Sequence, residues 1–155
     1  MLNGYKHVLV PVDGSKEAEA ALYKAAAVAQ RNKGRVDVLN VINTTNYGYS
    51  LGVVDGSVIT QIVNDELTYL KDLVNKIKDK TGIEDIHIHA RFGSPREVIT
   101  YEFPRDHQTD LIMMGATGKG RLYRMLEGSV TGYVNSHAGC DVIIVRTDMK
   151  NTPIK

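Results

Sequence analysis

The sequence has no tryptophan, two phenylalanines and a single cysteine, Cys140. One thiol cannot build an intramolecular disulfide framework or a cysteine-rich metal site. An excess of one charge is also missing: 19 Lys and Arg stand against 18 Asp and Glu, for a net charge of +1. No strong field is available to draw in nucleic acid or an anionic membrane surface. No apolar run approaches the ~20 residues that cross a bilayer. Residues 1–7 lack the pattern of a secretory leader. With 155 residues, the chain is long enough for one domain with a proper core. The expectation is a soluble, cytoplasmic protein in which Cys140, at the head of an apolar strand, is a small buried residue.

What is present alternates. Residues 7–12 are a short β-branched run closed by Asp13, Gly14 and Ser15. Ser15 can cap a helix carrying Glu17 and Glu19 in its first turns, with Leu22, Ala25, Ala26 and Ala29 at helical spacing and Arg31, Lys33 and Gly34 at its end. Residues 36–42 read as a second strand, followed by an aperiodic stretch, 43–56, which is either a binding loop or a variable excursion. Ser57 opens a second helix with an apolar stripe of Ile59, Val63, Leu67, Leu70, Val74 and Ile77, an Asp72–Lys76 pair, and Gly82 at its end. Residues 86–92 alternate, with His87, His89 and Arg91 on one face. Two histidines at that spacing can bind metal, but no further ligand is evidently placed to complete a site, and an edge strand accounts for them better. Ser94, Pro95 and Glu97 form the signature of a capping box, and Pro104 should kink or end the helix that follows. Residues 111–114 and 141–145 are the fourth and fifth strands, with Gly139 as the C-cap of the helix between them. The polar residues 147–155 read as a frayed tail. An order β-α-β-α-β-α-β-α-β implies an α/β domain with a parallel sheet, right-handed crossovers and helices on both faces.

The organising stretch lies between the fourth strand and the last helix. It holds Gly115, Gly118, Gly128 and Ser129, with Lys119, Arg121 and Arg124 among them. A glycine-rich loop feeding a helix N-terminus offers unpaired N–H groups and partial positive charge, which suit a phosphate. The alternative is a surface loop whose glycines serve only its turns. Other motifs fail. Lys119 is followed by Gly120 where a P-loop needs Ser or Thr, and the first strand ends in Asp13-Gly14-Ser15, where a dinucleotide fingerprint would need its own glycines. Arg91, Phe92 and Gly93 stand at the end of the third strand, where a response regulator would carry its phosphoacceptor Asp. No Ser, His and acid trio stands out.

These residues resemble the universal stress protein family, specifically its UspA-like ATP-binding branch. The resemblance is carried by residues 8–15, 39–42, 93–95 and 111–115, and above all by Gly-x2-Gly-x9-Gly-Ser, intact as Gly115, Gly118, Gly128 and Ser129. It implies one domain over residues 1–146 with a short tail, 147–155. It also implies a Rossmann-like, five-stranded parallel sheet in the order 3-2-1-4-5 and a ligand cleft between strands 1 and 4. By position, Pro11, Val12, Asp13 and Val41 would line the adenosine part, and Met114 and Gly115 the ribose side. Gly118, Gly128, Ser129 and Val130 would cradle the phosphates. Lys119 and Arg121 are added as charge-neutralising groups, although their long side chains can equally point to solvent. The implied cofactor is ATP, with ADP or AMP as alternatives and Mg2+ carried by the phosphates. The implied role is a nucleotide-dependent regulatory or sensing module in a stress response. Its implied partners are a second copy of the chain, joined at residues 142–145, and an unidentified protein. The competing readings are a slow ATP hydrolase or phosphoryl-transfer enzyme, for which Asp13 is the one nameable group, and a structural dimer with a vestigial site.

Overall fold

The structure is a computed structural model and describes residues 2–43, 56–116 and 129–154. Five strands, β1 (His7–Pro11), β2 (Arg35–Asn43), β3 (Ile86–Gly93), β4 (Leu111–Gly115) and β5 (Asp141–Val145), form one sheet in the order β3-β2-β1-β4-β5. Every pairing is parallel. The helices are α1 (Lys16–Asn32), α2 (Gly56–Thr81), α3 (residues 95–107) and α4 (Val130–His137).

The central strands read as unbroken apolar runs because both their faces are covered. Val8, Val10, Val36, Val38, Leu111 and Met113 pack with α1 and α2 in one core. Their neighbours Leu9, Leu39, Ile112 and Met114 pack on the other face with Val98, Ile99 and Phe103 of α3 and Val134 of α4. The alanine face of α1 lets that helix lie close to the sheet, and Ala21, Ala25, Ala26 and Ala29 are fully buried. The apolar stripe of α2 is buried only in its second half, at Leu70, Leu73, Val74 and Ile77. Ile59, Val63 and Leu67 are half-buried.

Caps explain where some elements begin. Ser15 is the N-cap of α1, and its hydroxyl accepts from the Ala18 N–H at 3.1 Å. Ser94 has N-cap geometry on α3 but makes no side-chain cap bond, so the expected capping box does not form. The Glu97 charge instead lies near Tyr133 of α4, whose hydroxyl it helps to push up after the larger effect of Tyr101. Ser15→Ala should therefore cost about 1 kcal/mol, as a lost cap does. Ser94→Ala should cost only a few tenths by the same measure, and paired urea melts will separate the two.

Pro104 does not end α3; the helix instead carries a local distortion just before it, in keeping with the kink alternative. The helix starts as a turn at Pro95–Glu97, widens to a π-turn over Val98–Glu102 and resumes at Phe103–His107. The Phe103 N–H reaches back five residues to the Val98 carbonyl. Proline has no N–H to give, and in a regular helix its ring would press on the carbonyl four residues back. The wider turn just before Pro104 relieves that contact. The helix stops at Gln108, whose φ of 55° is left-handed.

Three other expectations are corrected. Lys76 pairs with Glu19 of α1 rather than with Asp72. Ala138, not Gly139, is the C-cap of α4, with an extended backbone. Residues 147–154 are not frayed. Asp148 accepts from the Lys150 and Thr152 backbone N–H groups and the Thr152 hydroxyl, Thr147 bridges Pro153, and Lys24 of α1 holds Thr147 and Asn151. Ile154 then packs against the α1 core.

Cys140 is half-buried, and its thiol is pushed up first by burial and then by the charges of Asp110 and Asp141. The thiolate is the reactive form. Alkylation near pH 8 should be slow in the folded protein and should reach the rate of an ordinary cysteine only on unfolding. Equal rates in the two states would contradict this assignment.

Candidate functional site

In an open parallel sheet, ligands bind beyond the carboxyl ends of the strands, where the strand order reverses. Here that point lies between β1 and β4. Pro11 ends β1, and the Val12 N–H continues the ladder by donating to the Leu39 carbonyl at 2.9 Å. Val12 is buried and Asp13 is exposed beyond it. The Asp13 carboxylate accepts from the Ser15 N–H at 3.0 Å, which fixes the turn into α1. Gly14, at φ 86°, occupies the left-handed region that this turn needs.

The opposite wall is β4. Met114 is buried and Gly115 is its last residue. A Cβ on Gly115 would lie 2.6 Å from the Glu17 Cβ, 2.7 Å from the Glu17 carbonyl carbon and 2.9 Å from the Ala18 N. Glycine is thus required here by the close approach of the first turn of α1. The Thr131 hydroxyl donates to the Gly115 carbonyl at 3.2 Å, tying the start of α4 to the end of β4. Ser129 is the N-cap of α4, its hydroxyl oxygen accepting from the Gly132 N–H at 3.0 Å. Its hydroxyl proton remains available to an incoming acceptor. Val130 and Val41 are partly buried and pack on the core beneath.

The structure therefore gathers Pro11, Val12, Asp13, Met114, Gly115, Ser129 and Val130 at the carboxyl ends of β1 and β4, with Val41 at the same end of neighbouring β2. Gly118, Lys119, Arg121, Gly128 and the loop 44–55 lie outside the described residues.

Three residues of this corner were not anticipated. Asn40 donates from its side chain to the Val12 carbonyl at 3.1 Å and so holds the β1 turn. Its signal was visible, as a polar residue inside an apolar strand. Thr131 gave no comparable signal. Tyr69 of α2 lies near this turn and the charges of Glu19 and Asp13. Its hydroxyl is pushed up by burial first and then by Glu19, Asp13 and Glu66, while the Gly14 contact pulls the other way.

Fold and site together define an open, doubly wound α/β domain whose switch point is flanked by a close-packed glycine and a helix N-terminus. The model of the universal stress protein family matches residues 4–146, and the chain belongs to that family. It is 35% identical over 147 residues to a chain of Staphylococcus aureus (strain USA300) described as a universal stress protein, covering 93% of this chain and 86% of that one. Among solved structures, it is similar to the universal stress protein UspA from Lactobacillus plantarum, with a TM-score of 0.73 and 30% identity over 92% of this chain and 99% of that chain. It also shares its fold with a universal stress protein solved in complex with cAMP, with a TM-score of 0.67 and 21% identity over 92% and 97% of the two chains.

Proposed function

We propose that this chain is an ATP-binding universal stress protein, acting in the cytoplasm as a nucleotide-dependent regulatory or sensing module. The carrying observation is the convergence of element ends at the switch point between β1 and β4. The end of β1, the glycine end of β4 and the capped start of α4 meet there, joined by the Thr131–Gly115 hydrogen bond. The cleft offers apolar contact at Val12 and Val41 for a base, the unpaired N–H groups of a helix start for phosphate, and the Ser129 hydroxyl as a donor. The universal stress protein solved with cAMP carries an adenine nucleotide on the same fold. Mg2+ would ride on the phosphates and needs few protein ligands. Gly118 and Gly128 would complete the cradle, with Lys119 and Arg121 neutralising charge.

The chain would work as a homodimer through β5. That strand is a sheet edge, and Ile143 is 40% exposed on it. Among the described residues, the tail bridges to itself and leaves the β5 edge unpaired. No helix among the described residues is long and apolar enough to cross a membrane.

ATP with Mg2+ at about 100 times its Kd should stabilise the fold by about 2.7 kcal/mol through linkage. For a domain of this size that raises Tm by about 5–10 °C. Gly118→Val should abolish the shift while leaving the fold intact. A flat titration would favour the vestigial-site reading. Turnover above a metal blank, lost in an Asp13→Asn protein that still binds ATP, would establish the enzyme reading instead.

A further inference from the structure

Asp37 stands inside the apolar run of β2 with its side chain only 3% exposed. A carboxylate in that position must be held by charge or by metal, since burying it alone is costly. His89 of β3 places Nε2 at 2.9 Å from one Asp37 oxygen, and Arg35 places Nε at 3.1 Å from the other. His107 arrives from the last turn of α3, its ring 4.9 Å from that of His89. One ligand atom from each of Asp37, His89 and His107 lies within 4.8 Å of the others. His87, which the sequence pairs with His89, turns away to exposed Asp85 at 2.7 Å.

We propose that Asp37, His89 and His107 form a binding site for a borderline divalent metal of the zinc type, separate from the nucleotide cleft. Two imidazoles and one carboxylate are a three-ligand set for such an ion, with water in the fourth position. The ligands come from two adjacent strands and a helix end, and their surroundings orient them. Phe103 stacks on His107 at 4.1 Å and meets His89 edge-on at 4.9 Å. Arg35 occupies the second Asp37 oxygen and also donates to the His107 carbonyl at 2.9 Å. Supports of this kind set ring orientation and ligand basicity in metal sites. Asp37 precedes Val41 by four residues, so the site lies about 13 Å along β2 from the nucleotide end.

One group competes. Arg91 lies 3.3 Å from the His107 Nε2, and the same guanidinium holds Asp106 at 3.0 Å. Metal would displace the first contact while the second keeps the guanidinium in place. Arg91→Gln should therefore tighten metal binding, whereas loss of a mere ion-pair network member would leave it unchanged.

The test is titration of tag-free, full-length protein with Co2+, read by visible absorption, with Zn2+ as competitor. In nucleotide-free protein the expected result is one ion per chain with the spectrum of a four-coordinate site. Affinity should fall at least tenfold in His107→Ala, hold in His87→Ala and rise several-fold in Arg91→Gln. If His107→Ala does not fold, ring 15N shifts in the wild-type protein decide. Zn2+ should move His89 and His107 and leave His87 in place. Absence of binding, binding that survives in folded His107→Ala, or a ring shift confined to His87 would overturn the proposal.

Discussion

Phe103→Ala should cost about 3–5 kcal/mol, the usual range for emptying a large aromatic site. Phe103 is fully buried and is among the largest side chains with no exposure. It is the pin of α3. It packs into the core beneath that helix, stacks on His107, meets His89 edge-on and lies under the Arg91 guanidinium at 4.8 Å. It also takes the backbone position where the π-turn hands over to regular helix. Removing the ring takes away apolar burial and lets the supports of the Asp37 cluster turn freely. Thermal melting should show a fall in Tm of about 10 °C or more. Phe103→Leu should recover about half of the loss. A Phe103→Ala protein within 1 kcal/mol of wild type would show that α3 is held by something other than this contact.

Gly115→Ala should cost about 2–3 kcal/mol, near the top of the overpacking range. The reason is steric, since Gly115 is not among the glycines with positive φ. Two of the three close approaches to its added methyl are backbone atoms of α1, at 2.7 and 2.9 Å, and cannot rotate away. The first turn of α1 must lift from the end of β4. That turn follows directly from Asp13 and Ser15, so nucleotide affinity should fall along with stability. Gly139→Ala is the control, because nothing lies within 4 Å of its added Cβ. It should stay within about 0.5 kcal/mol of wild type, as surface changes usually do. Equal effects of the two substitutions in denaturant melts would remove the packing argument for Gly115.

Much of this was legible in the sequence, for identifiable reasons. The β-α alternation could be read because the central strands are covered on both faces, which leaves apolar runs such as residues 8–10 and 111–114. The strand order came from the family resemblance, since periodicity carries no order. What failed was decided by contacts across the fold. Ser94 and Glu97 have the spacing of a capping box, but the Ser94 side chain makes no cap bond. Asp72 has the spacing to reach Lys76, but Glu19 takes it. Pro104 marked either a kink or an end of α3, and the choice between them falls to a π-turn that has no sequence signature of its own. Residues 147–154 looked frayed because their order comes from Asp148 closing on its neighbours and from Lys24 of α1. At the site, the glycine pattern marked Gly115 and Ser129. Thr131 and Tyr69 enter only through tertiary contacts. Asp37 was visible as an acid in an apolar strand, but its partner His107 lies 70 residues away in sequence.

The most direct test is chromatographic identification and quantification of the nucleotide released when freshly purified protein is denatured. ATP at close to one per chain is the predicted result. Mainly ADP or AMP would move the weight to slow hydrolysis. A chain that releases no nucleotide, and whose melting temperature ATP with Mg2+ does not raise, would contradict ATP binding at the β1–β4 cleft.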